Sequence, residues 1–137
     1  MFTRLILEDS LKLHFCSELQ SISRASSEIR DFLLLRGMRS IAFDVALICR
    51  EAINNAVIHG NGIRPERAVH LELAIGPQQL TISVEDEGAG WEWRNWEFTL
   101  PDPSCESGRG LYIIHHYADY LSFNEKGNRL VIRKQLS

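Results

Sequence analysis

Cysteine is scarce in this chain. Cys16, Cys49 and Cys105 are odd in number and far apart. No pair has metal-site spacing, and the pattern predicts reduced thiols in a cytoplasmic protein. No apolar run approaches the ~18–20 residues of a membrane span. The charges among residues 1–9 are misplaced for a signal peptide. Neither sign of charge dominates: 15 Lys and Arg face 18 Asp and Glu, a net of −3. That argues against direct nucleic-acid binding through an overall basic surface. Four prolines and nine glycines are too few for collagen or a low-complexity chain. No repeat is visible, so a solenoid is excluded. What remains is 137 residues, 45% of them hydrophobic. This is the size of one globular domain, 1–137, with a core that needs no disulfides.

Periodicity outlines the elements. Leu5 and Leu7, then Leu11, Leu13 and Phe15, recur at period two around Glu8-Asp9-Ser10 and predict a strand or a hairpin. From Ser17 to Leu35, Leu19, Ile22, Ala25, Ile29, Phe32 and Leu33 have helical spacing, closed by Gly37. A second helix is predicted from about Ile41 to His59, with Ser40 as N-cap and Gly60 as a left-handed terminator. Val69–Ile75 and Leu80–Val84 alternate as strands around the turn at Gly76-Pro77. Residues 88–107 are irregular. A third helix opens near Gly110, and a hairpin turning at Lys126-Gly127-Asn128 closes the chain. Helices alternating with hairpins predict an α+β two-layer sandwich, with helices on one face of a mixed, mostly antiparallel sheet.

Three constellations look like chemistry. On the second helix, Glu51 and Asn55 are four apart and share a face, with Asn54 beside them and His59 continuing the row. Asn is a poor helix former, so two in mid-helix want a reason. One is a solvated polar face; the other is a carboxylate base beside an amide oxygen that holds Mg²⁺, an ion that takes few protein ligands. After the fourth strand comes Asp86-Glu87-Gly88-Ala89-Gly90. Alternation puts Asp86 on the apolar side with Leu80, Ile82 and Val84, where a carboxylate is costly unless a donor such as the adenine amino group meets it. The ordinary alternative is an acidic turn closed by two glycines. Third, Gly108-Arg109-Gly110-Leu111 leads into a helix, where backbone N–H groups can meet phosphate. It is neither a Walker loop nor a dinucleotide-binding loop.

In order, these give Glu-x-x-x-Asn on a helix, Asp-x-Gly-x-Gly after a strand and Gly-x-Gly opening a helix. The set resembles the boxes of the ATPase superfamily that contains gyrase and the histidine kinases. Within it, the chain is most similar to the anti-sigma-factor serine kinases of bacterial partner switching. The stretch Glu-Ala-Ile-Asn-Asn-Ala-Val-Ile-His-Gly-Asn carries much of that likeness. The resemblance implies a Bergerat-type ATP-binding fold. It implies Asn55 as Mg²⁺ ligand, Glu51 as general base toward a serine or threonine hydroxyl, and Asp86 as reader of adenine. Gly88 and Gly90 would shape the pocket. Gly108, Arg109, Gly110 and Leu111 would close over the phosphates, and residues 91–107 would form an ATP lid in which Thr99 could meet phosphate. The implied partners are a STAS-type antagonist protein as substrate, a sigma factor or other sequestered target, and a second copy in a homodimer.

Two features depart from that family. The lid segment has no Lys, leaving Arg94 and Arg109 as the nearby basic groups, and Gly127 is followed by Asn128 rather than Thr. Trp91, Trp93 and Trp96 cluster there, as core residues of a strand or as a docking surface. His115 and His116 read as helix-surface or packing residues. A nucleotide-gated binding module without phosphotransfer is the alternative function. A detached histidine-kinase catalytic domain is disfavoured, because there is no phosphoacceptor helix pair and the first box begins with Glu.

Overall fold

The computed structural model describes residues 1–95 and 109–136. Six strands form one sheet: β1 (Phe2–Ile6), β2 (Ser10–Cys16), β3 (Ala68–Ile75), β4 (Gln79–Glu85), β5 (Tyr120–Phe123) and β6 (Arg129–Gln135). The order is β1-β2-β3-β4-β6-β5 and every pairing is antiparallel, where the sequence had left room for a mixed sheet. Three helices, α1 (Leu19–Leu35), α2 (Arg39–Asn54) and α3 (Arg109–Tyr117), complete the α+β fold.

Alternation and register together build the core. Leu13, Leu71, Val84 and Leu130 stand opposite one another across four strands, and so do Leu11, Leu73, Ile82 and Ile132. All eight are buried. They meet Ile22, Ile29 and Leu33 of α1 and Val45, Ile48 and Ala52 of α2 in one cluster. Burying each such aliphatic side chain stabilises the fold by about 1.5–3 kcal/mol. The alternate residues, among them His14, His70, Glu72 and Ser83, line a groove on the other side of the sheet.

The helix boundaries differ from the sequence expectation in three places. α1 begins at Leu19, because Ser17 turns its hydroxyl to Arg67 O at 2.7 Å. Ser40 does not cap α2, which already starts at Arg39. Gly37, at φ +72°, reverses the chain, and Met38 donates its N–H to Leu33 O, fixing the corner two residues early. α2 ends at Asn54 and continues as a π-helical turn, Asn55–Gly60. Gly60 is not left-handed; the positive φ values fall later, at Gly62 and Ile63. Gly60 is required for another reason: a Cβ there would collide with the Asp86 carboxylate.

Candidate functional site

The sheet-side alternation of β4 carries Asp86 into the wall of a cavity of about 220 Å³. Ala52, Asn55, Val84, Asp86, Leu111 and Leu130 are among its walls, and most of its surface is apolar. That is below the ~300–1,000 Å³ of pockets that enclose drug-sized ligands. It suits a flat ring system with its polar remainder outside.

Asp86 is held from three sides. Gly88 donates its N–H to Asp86 Oδ1 at 2.8 Å. A Cβ on Gly88 would overlap the Gly60 carbonyl, so the two glycines bring the turn after β4 against the end of the π-helical turn, next to the carboxylate. On the third side, Asn128 Nδ2 donates to Asp86 O at 2.9 Å, and Asp86 N–H donates to Asn128 O at 2.9 Å. Asn124 extends this brace, donating from Nδ2 to Asn128 Oδ1 at 2.8 Å. The Asn that departs from the family's Thr is therefore a clamp on the Asp86 backbone. Burial pushes the Asp86 carboxyl above the usual carboxylate range; the Gly88 hydrogen bond and Lys126 oppose the rise. A half-buried acceptor in an apolar wall is the counterpart of a ligand N–H.

Glu51 and Asn55 sit one turn apart at the end of α2, Asn55 also lining the cavity. Gly110, in the first turn of α3, lies directly over both. A Cβ added there would stand 3.0 Å from Glu51 Oε2 and 3.3 Å from Asn55 Oδ1. Burial raises the Glu51 carboxyl above its ordinary range, with Arg50 opposing. Sequence-distant glycine, carboxylate and amide thus meet at one place, and Asp86 lies on the same cavity as Asn55.

The remaining candidates fall as follows. Gly90 adopts φ +82° and touches the β5–β6 turn at Lys126. Arg109 opens α3, and Leu111 is buried in the cavity wall. Thr99, Gly108 and positions 96–107 of the expected lid lie outside the described residues. Arg94 reaches Glu125 O at 3.4 Å and covers the Trp93 ring. Trp91 and Trp93 are not in a strand: Trp93–Asn95 is a 3-10 turn, and Trp91 borders the cavity. His115 and His116 are exposed on α3, where His116 stacks on Tyr112.

Sequence reasoning assigned no role to Asn61. It is fully buried and satisfied: Nδ2 donates to Ser17 Oγ at 2.7 Å and to Ala68 O at 2.9 Å, while Glu87 N–H donates to Oδ1 at 2.8 Å. It ties the end of the π-helical turn to β3 and to the residue after Asp86. Ala68 N–H in turn donates to the Glu87 carboxylate. Only its position beside the Asn-rich helix end hinted at this.

The donor set also tests for a metal. Among the described residues no group of three or more His, Cys, Asp or Glu is placed to hold one. Asn55 with an adjacent carboxylate fits an ion such as Mg²⁺ that takes most of its oxygens from phosphate and water. No helix among them is long and apolar enough to cross a membrane.

Residues 14–134 match the family described as the histidine kinase-like ATPase domain. Among curated relatives named anti-sigma F factor, some align over nearly the whole chain. The one from Clostridium novyi is 31% identical over 137 residues, covering 93% of this chain and 95% of its own. That from Clostridium kluyveri is also 31% identical, covering 93% and 94%. The one from Oceanobacillus iheyensis is 31% identical over 101 residues, 69% of each chain.

Proposed function

The chain belongs to the histidine kinase-like ATPase domain family, and on that footing we infer that it is an anti-sigma-type protein serine/threonine kinase using Mg²⁺ and ATP. Its protein substrate is a STAS-type antagonist. The unphosphorylated antagonist competes for the surface that holds a sigma factor or other target. The names of the near-full-length relatives support the sigma-factor partner. The observation that carries the catalytic reading is the meeting of Glu51, Asn55 and Gly110 beside the cavity that holds Asp86.

Each residue has a physical task. Asp86 accepts from the exocyclic amine of adenine, its backbone fixed by Asn128 and Gly88. The apolar walls take the base. Asn55 would offer its amide oxygen to Mg²⁺, which would supply positive charge against the phosphates. Gly110 keeps the space above Asn55 and Glu51 clear and presents the start of α3 to phosphate. Glu51 accepts the proton of the attacking hydroxyl. Its raised proton affinity makes it a better base than a solvated carboxylate. Phosphoryl transfer needs little else from a protein beyond positioning and charge. The lid over 91–107, with Thr99 and Gly108, belongs to the same proposal and would exclude competing water. So does a homodimer, supported by the half-exposed Leu5, Ile6 and Leu7 on and beside the edge strand β1.

The test follows label from γ-labelled ATP into a STAS-domain protein from the same genome. The wild-type chain should label a serine or threonine, and Glu51→Gln should not. ATP binding with no labelling by the wild type would leave the nucleotide-gated binding module instead.

A further inference from the structure

One wall of the cavity is aromatic. Trp91 and Phe123 border it, their rings edge to face at 5.3 Å and 85°. Trp93 stacks on Phe123, with centroids 5.8 Å apart and planes 26° apart. The Arg94 guanidinium covers the Trp93 ring, 4.6 Å from its centroid. Trp91 keeps 39% of its surface exposed although it borders an apolar cavity.

The backbone under Trp91 is tightly fixed. Its N–H donates to Lys126 O at 3.2 Å, and its carbonyl accepts from Trp93 N–H at 3.0 Å. Gly127, at φ +87°, sits so close that a Cβ would be 2.5 Å from Trp91 O. Gly90 packs against the same turn, at the Lys126 carbonyl. Asn124 Oδ1 holds the turn by accepting from Gly127 and Asn128 N–H groups. A large aromatic ring is thus held in place, partly uncovered, on the cavity that also holds the Asp86 carboxylate.

We propose that the Trp91 indole is the stacking wall for the nucleobase, so that Trp91 sets nucleotide affinity and reports occupancy through its fluorescence. This rests on the reading of the cavity as the ATP site. Asp86 recognises an edge of the base by hydrogen bonding; Trp91 grips its face. Phe123 meets the indole edge to face, and Trp93 in turn stacks on Phe123. Stacking of a base on an aromatic ring is worth enough to change affinity by about ten- to hundredfold. Because the grip is on the base and not at the phosphates, it acts on binding and leaves transfer at saturating ATP intact.

The experiment compares Trp91→Phe, Trp91→Leu and Trp91→Ala with wild type and Asp86→Asn. ADP and ATP affinities are read by calorimetry, and KM and kcat in the transfer assay. Trp91→Phe should bind within about threefold of wild type. Trp91→Leu, which keeps apolar bulk without a ring face, should be weaker than Phe, and Trp91→Ala weaker still. The loss should appear in KM and not in kcat. In a Trp93→Phe, Trp96→Phe background, the remaining Trp91 emission should change on ADP addition with the calorimetric midpoint. Equal affinities for Leu and Phe, or Trp91 emission unmoved at saturating ADP, would overturn the proposal. If Asp86→Asn still abolishes binding in that case, the ATP site stands without a Trp91 wall. No nucleotide binding by the wild type would overturn both. If Trp91→Ala does not fold, the Leu and Phe pair and the fluorescence still decide.

Discussion

Gly110 and Glu51 come from helices about sixty positions apart, yet a single methyl group would fill the space between them: a Cβ on Gly110 stands 3.0 Å from Glu51 Oε2. Alanine is the better helix former by about 1 kcal/mol. Gly110→Ala should therefore melt no earlier than wild type while losing tenfold or more in phosphate transfer. Calorimetric melting beside the transfer assay checks both halves. Undiminished transfer would show that the space above Glu51 and Asn55 is not used.

Glu51→Gln keeps shape and removes the proposed base. Transfer should fall about 10²–10⁴-fold, the usual contribution of general base catalysis, with ATP affinity within a few-fold. In the wild type, burial raises the Glu51 pKa, so the acid limb of the rate profile should lie above the ordinary carboxylate range. Transfer should rise with pH through that limb, and Glu51→Gln should lack it. A parallel loss of ATP binding would instead give Glu51 a structural role.

Asp86→Asn separates binding from stability. A carboxylate whose pKa is raised on folding binds its proton more tightly in the native state. It therefore favours folding at low pH and opposes it as pH rises through the folded pKa. The amide keeps the Oδ1 acceptor for Gly88 and removes the buried charge. At neutral pH the nucleotide-free variant should be at least as stable as wild type, while ATP affinity falls tenfold or more. Thermal melts and calorimetry read the two effects independently.

Period-two alternation made Asp86 legible, because it placed a carboxylate in register with Leu80, Ile82 and Val84. Helical spacing made Glu51 and Asn55 legible for the same reason: both signals are local. What stayed hidden depends on contacts between distant segments. Asn61 meets Ser17 across 44 positions, and Asn128 meets Asp86 across 42. Neither belongs to any periodic pattern. Gly60 looked like a helix terminator from its place after His59, whereas it is the Asp86 side chain that demands a glycine. The π-helical turn at Asn55–Gly60 had no sequence signal at all.

Asn61→Ala should destabilise the fold by about 1–3 kcal/mol, the cost of leaving buried partners unsatisfied. It removes the acceptor of Glu87 N–H and the donor to Ala68 O. The lesion lies beside Asp86, so ATP affinity should fall too. Denaturant melts read the stability loss, and a melt unchanged from wild type would refute the tie.

His14 supplies a pH test away from the cavity. It stands edge to face with His70 at 4.0 Å across β2 and β3. Burial and the neighbouring His70 lower its pKa, and Glu87 opposes. A base whose pKa is lowered on folding binds protons better when unfolded, so stability is lost as pH falls below about 6.5. His14→Gln should flatten the stability profile between neutral and mildly acidic pH, as denaturant melts across that range would show.

Whether the cavity at Asp86 holds ATP is settled most directly by calorimetric titration of the purified chain with ATP, with and without Mg²⁺. A saturable isotherm for one site per chain, tighter with Mg²⁺ and lost in Asp86→Asn, is expected. An absence of heat at millimolar ATP, with no displacement by ADP of any bound adenine nucleotide, would contradict it.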